Sequence, residues 1–152
     1  MKNKNLQIDA LDRAIIVELQ RNGRMSYKDI ARKLKVSDGT IRLRTGKMIK
    51  KNLFRITASV NPFYFENTSM ALIGINIEKR DHQKIMKRLS KLRGVTSVCN
   101  LTGRYDLMVE VFFDSREELR KFLVEELNQI TEINLTETYV YLDGINKWME
   151  LT

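Results

Sequence analysis

The sequence predicts an α+β chain in two parts, three helices first and a helix-backed antiparallel sheet after them. Three observations predict it. Charge is lopsided: residues 1–60 carry 15 Lys and Arg against 5 Asp and Glu, whereas residues 61–152 carry 12 against 14. Apolar residues recur at helical spacing through about residue 51, with Leu11, Ile15 and Leu19 as the first stripe. Beyond residue 69 short β-branched runs alternate with two amphipathic helical stretches.

Size and composition narrow the class. With 152 residues, 43% hydrophobic and 30% charged, the chain can fill two small folded units and is too apolar for disorder. No apolar run approaches the ~20 residues of a membrane helix. The opening MKNKNLQIDALD lacks the apolar stretch of a secretory leader. The single cysteine, Cys99, cannot form an internal disulfide. These features lead us to expect a cytoplasmic protein with no membrane partner.

The first helix is expected after Asp9 as N-cap, with Asp12 at its third position, and to stop at Asn22-Gly23. The second starts after Ser26 and turns Ile30, Ala31 and Leu34 inward. Ser37 caps the third, which runs from Asp38 to about Lys51. On a wheel of ~100° per residue, Ile41, Thr45, Met48 and Ile49 share an inner face. Gly39, Thr40, Arg42, Leu43, Gly46, Lys47 and Lys50 point outward, and Arg44 and Lys51 lie on the flank. Two helices joined by a short turn, the second basic on its outer face, form a helix-turn-helix whose second helix fits a DNA major groove. A basic run can equally be a solvated face, but such a face normally mixes both charge signs. Candidate DNA contacts are Ser37, Thr40, Arg42, Leu43, Arg44, Lys47 and Lys50. Arg44 can serve a phosphate or an internal ion pair. Leu43 can meet a thymine methyl or be an ordinary exposed leucine.

Residues 1–53 therefore form the expected helical domain and 54–69 a strand and hinge, with Phe54–Val60 extended ahead of Asn61-Pro62. In residues 70–152, strands are expected at Met70–Ile77, Val95–Leu101, Asp106–Phe113 and Ile133–Leu142. Helices are expected at Asp81–Leu92 and after Ser115, the latter burying Leu119, Phe122, Leu123 and Leu127. The order βαββαβ is that of a ferredoxin-like fold.

Catalytic and metal chemistry find little support. His82 is the only histidine, Cys99 reads as a small buried hydrophobe, and a zinc site normally takes four ligands. No phosphate-binding glycine loop or nucleophile triad stands out, so neither an enzyme nor a cofactor is expected. In the Thr102-Gly103-Arg104-Tyr105 connection, Arg104 and Asp106 offer opposite charges beside a glycine. Such a loop can hold both ends of an amino acid, or Gly103 and Asp106 can simply shape the hairpin.

Several motifs together resemble one family. Ile8-Asp9-x-x-Asp12, Arg24-x-Ser26, Ile30-Ala31, Val36-Ser37-x-x-Thr40-Ile41-x-x-Arg44 and Asn61-Pro62 resemble the DNA-binding half of the Lrp/AsnC, or feast/famine, transcriptional regulators. The βαββαβ order with Gly103 and Asp106 resembles their regulatory half. Thr45 stands where the family usually carries an aliphatic residue, Ile49 where it carries an acid, and Asn52 in place of a glycine. The resemblance implies a sequence-specific regulator of double-stranded DNA, assembled as a homodimer and further as a tetramer or octamer. It also implies a small effector, most often an amino acid, at subunit junctions near Leu101, Thr102, Gly103, Arg104, Tyr105 and Asp106, with Thr136 and Thr138 contributing hydroxyls. The alternative is an architectural, weakly specific DNA-compacting protein without an effector.

Overall fold

Short side chains at helix starts set the first unit of the structure, a computed structural model that describes residues 7–78 and 81–151. Residues 1–6 of the polar opening, and residue 152 closing the expected second domain, lie outside the described residues. Asp9 caps α1 (Ala10–Arg21) in a reciprocal capping box with Asp12. Ser26 caps α2 (Tyr27–Leu34) and Ser37 caps α3 (Asp38–Lys50). Each cap accepts a hydrogen bond from a first-turn N–H that the helix itself cannot satisfy. Ile15, Leu19, Ile30, Ala31, Ile41 and Met48 form the core of these helices.

Three sequence expectations change between α1 and residue 60. Gly23 follows α1 but does not occupy the left-handed region; Lys35, at φ 54°, ends α2 that way and Asn52, at φ 53°, follows α3 that way. Ile49 is 37% exposed, because the stripe of Ile41, Thr45 and Met48 leaves it at the rim. Phe54–Val60 forms no strand: only Val60 pairs, in an isolated antiparallel bridge with Met149.

The chain divides into two compact units, Met1–Ala58 and Ser59–Thr152. The second contains β1 (Ser69–Ile77), α4 (His82–Leu89), β2 (Val95–Asn100), β3 (Leu107–Phe113), α5 (Arg116–Lys121) and β4 (Ile133–Val140). A wider π turn, Phe122–Glu126, and a 3-10 turn, Leu127–Gln129, extend α5. Strand order is β2-β3-β1-β4, every neighbour antiparallel. This is the ferredoxin-like arrangement.

Alternation gives the sheet two faces. Ala71, Ile73, Ile75, Leu107, Val109 and Val111 pack against Ile85, Leu89, Leu119, Phe122, Leu127 and Ile130. The other face carries Met70, Leu72, Gly74, Met108, Glu110 and Phe112. Part of it is covered by the C-terminal tail, where Met149 packs on Met70 and Phe112 and Lys147 pairs with Glu110.

Candidate nucleic-acid interface and effector loop

The outer face of α3 is built by subtraction as much as by charge. Gly39 and Gly46 remove two side chains, leaving a hollow of about 530 Å³ lined by Gly39, Arg42, Leu43, Gly46, Lys47 and Lys50. Lys47 and Lys50 are exposed. Arg42 lies 3.5 Å from Asp38 and stacks 5.5 Å from the centre of the Tyr27 ring, with 70% of its side chain still accessible. Ser37 and Thr40 share a 2.8 Å hydroxyl contact at the helix start, where backbone N–H groups and the helix dipole favour an anion.

Arg44, for which a phosphate contact and an internal ion pair were both expected, makes the ion pair. Its guanidinium turns to α1, reaching Asp9 at 2.6 Å and Asp12 at 2.9 Å. Hydrogen bonds from the Asp12 backbone and then from Arg44 hold the Asp9 carboxyl below the usual carboxylate range. A second clamp joins α1 to α2: Glu18 accepts from Lys33 at 2.7 Å and from Arg21 at 3.0 Å. The Lys33 bond is the main cause of its lowered pKa. The orientation of α3 is thus held by charges at the start of α1.

On the second unit the loop 101–106 closes β2 to β3. The Leu101 N–H donates to the Asp106 carbonyl, and Thr102 is exposed. Gly103 sits at φ 150°, a conformation that disfavours any side chain. Tyr105 is buried, its ring lying against Gly74, where a Cβ would come within 2.6 Å of it. Its hydroxyl contacts that of Tyr139 at 3.2 Å. Arg104 lies 3.4 Å from Glu137 and over the Tyr105 ring. The neighbouring Glu137 carboxylate pushes the Tyr139 phenol pKa up.

Three of the candidate residues around this loop have definite places in the sheet. Asp106 accepts from the Ile77 N–H at 2.9 Å, and its own N–H donates to Ile75 and Asn76, so it braces the loop against β1. Thr136 and Thr138 pair with Ile75 and Ile73 and therefore share the helix-backed face. Glu137 and Tyr139, one residue along, face Tyr105 instead. Gly74, paired with Glu137, lies on that same face. Cys99, expected to be buried, is exposed on edge strand β2.

An AsnC-type helix-turn-helix domain matches residues 8–49, and a Lrp/AsnC ligand binding domain matches residues 70–149. The chain belongs to the Lrp/AsnC family of transcriptional regulators. An HTH-type transcriptional regulator of Pyrococcus abyssi is 33% identical over 96% of this chain and 92% of its own length. The regulatory protein AsnC of Escherichia coli K12 is 31% identical over 93% and 94%. The solved structure of E. coli AsnC superposes with a TM-score of 0.72, at 30% identity, over 91% of this chain and 95% of that one. A Neisseria meningitidis regulator solved as a complex with L-methionine shares the fold, with a TM-score of 0.72 at 21% identity over 96% and 97%. This Lrp/AsnC chain is therefore a helix-turn-helix transcriptional regulator with a ligand-binding domain, in a family of regulators and not of enzymes. Among the described residues no helix is long and apolar enough to cross a membrane.

Proposed function

We propose that this regulator reads double-stranded DNA in the cytoplasm through the outer face of α3 and answers to an amino acid bound at the loop 101–106. The observation that carries the reading is the charge of α3: Arg42, Lys47 and Lys50 face outward around a hollow, and Asp38 is the only carboxylate on the helix. Positive side chains release counterions from phosphates, so each contact steepens the salt dependence of binding. Full-length chain is used to select an operator from random duplexes. Arg42→Gln with Lys47→Gln is then expected to weaken operator binding and to flatten the salt slope by about one unit for each phosphate no longer neutralised. Unchanged affinity and slope would remove α3 as the reader, and binding to bulk DNA as tight as to the operator would favour the architectural alternative.

The effector reading uses the Arg104–Glu137 pair, 3.4 Å apart. A guanidinium suits a carboxylate and a carboxylate suits an ammonium, so the two ends of an amino acid can replace the pair. Gly103 leaves the backbone open to close approach, and the methionine complex of the Neisseria regulator is a fold-level precedent for the ligand class. Calorimetry with the twenty amino acids tests it. One should bind and alter operator affinity, and Glu137→Ala should weaken it; no binding by any of them removes the site.

In the same reading, residues 54–69 link a DNA-binding head, 1–53, to an effector domain, 70–152. The uncovered part of the open sheet face, with Leu135 and Tyr139 exposed, pairs with a second copy. The homodimer then spans half-sites about 34–36 Å apart or multiples of that. A stable monomer in sedimentation at micromolar concentration contradicts it.

A further inference from the structure

Leu43 is 74% exposed in the middle of the outer face of α3. On a helix its surface neighbours are the residues three and four positions away, here Gly39, Thr40, Gly46 and Lys47. Two of the four are glycine. Neither glycine is explained from inside the protein. A Cβ at Gly46 would meet nothing within 4 Å, and one at Gly39 would meet only the Ser37 hydroxyl, at an ordinary 3.8 Å. Neither occupies the positive-φ region that favours glycine. Packing and backbone geometry would both accept a side chain, and helix propensity would prefer one. The remaining account is an external surface that comes close on both sides of Leu43.

We infer that Leu43 is the base-reading group of the recognition helix and that it takes the 5-methyl group of a thymine. This rests on α3 being the DNA-reading helix. The chemistry selects the base. In the major groove guanine, adenine and cytosine present hydrogen-bond donors and acceptors, and thymine alone adds an apolar group. Leucine can satisfy no donor or acceptor, and pressing it on one leaves a polar group unpaired. Arg42, Lys47 and Lys50 border the hollow and can hold the flanking phosphates, while Gly39 and Gly46 admit the base edges beside the leucine.

The test uses the full-length chain and the operator it selects from random duplexes. Each thymine is replaced in turn by deoxyuridine, which removes one methyl and keeps every hydrogen bond. At one thymine or more in each half-site, affinity is expected to fall about four-fold, the equivalent of one buried methyl. Leu43→Ala should bind more weakly and show no further loss with deoxyuridine there. Gly46→Leu, which fills the hollow at a position where a Cβ meets nothing within 4 Å, should melt no lower than the parent and yet lose operator binding. Indifference to every thymine methyl overturns the inference and leaves the regulator reading standing. So does methyl dependence that survives Leu43→Ala, or undiminished operator binding by Gly46→Leu. A selection that enriches no sequence overturns both.

Discussion

The helical unit packs Ile15, Leu19, Ile30, Ala31, Ile41 and Met48, and sets its helices with ions placed on different helices: Arg44 to Asp9 and Asp12, Lys33 to Glu18. The sheet unit buries a larger set that includes Ile73, Ile75, Ile85, Leu89, Val109 and Phe122, and its Arg88–Glu132 and Arg93–Glu118 pairs lie outside that core. Apolar burial is non-directional and grows with area, which suits a platform. Ion pairs at hydrogen-bond distance are directional, which suits a helix whose angle matters. The difference shows a chain that uses apolar residues to hold a platform and charged ones to orient α3, the helix we propose as the reader.

Phe122→Ala tests the platform and carries the largest expected effect. Phe122 is fully buried, 5.3 Å from the Phe113 ring, and truncation should cost the sheet unit about 3–5 kcal/mol in urea denaturation. A loss below about 1 kcal/mol would contradict a core-dominated sheet. Acid sharpens the contrast next. Asp9 and Glu18 have folded pKa values below their ordinary 3.8 and 4.5. Their stabilisation is fully present above those ordinary values and is lost as pH falls through the lower folded ones. Glu117 and Glu132 are lowered in the sheet unit too, yet its larger apolar core does not titrate. Backbone amide signals of α1–α3 should therefore disappear at higher pH than those of β1 and β3, and the reverse order would break the comparison.

Two smaller substitutions act inside α3. Thr45 is fully buried and its Oγ1 has no hydrogen-bond partner. Thr45→Val keeps the shape and removes an unsatisfied hydroxyl, so the helical unit should gain about 1 kcal/mol. Gly46→Ala should gain a little less, about 0.8 kcal/mol, from helix propensity, while operator affinity falls. Thermal melts paired with binding isotherms check both, and a lowered melting temperature for Thr45→Val would show an unseen partner for that hydroxyl.

Local chemistry was legible in the sequence and distant pairing was not. Asp9, Ser26, Ser37 and Ser115 act as the N-caps their positions announced, because a cap bonds within its own helix. The four strands of the second unit follow the β-branched runs. Phe54–Val60 also has strand composition, but a strand needs a ladder partner, which a composition cannot supply; only Val60 finds one. Alternation placed Thr136 and Thr138 together but could not tell which face of β4 the helices cover. Arg44 reads as a flank cation until its partners, 32 and 35 residues away, are known. Asp106 beside Gly103 reads equally as a ligand acid or a hairpin brace, and the bracing bond from the Ile77 N–H, 29 residues away, is visible only in the fold.

The Asp12 side chain accepts, at 3.3 Å, the backbone N–H of Asp9 in the cap of α1 and, at 2.9 Å, the guanidinium of Arg44 in α3. One carboxylate therefore joins the start of the first helix to the orientation of the third. In a genetic screen for lost repression or activation, lesions should gather at codon 12 as well as in the recognition helix, although Asp12 belongs to α1. Second-site suppressors of such a lesion should arise at codon 44, and the charge-swapped pair Asp12→Arg with Arg44→Asp should recover more activity than either change alone.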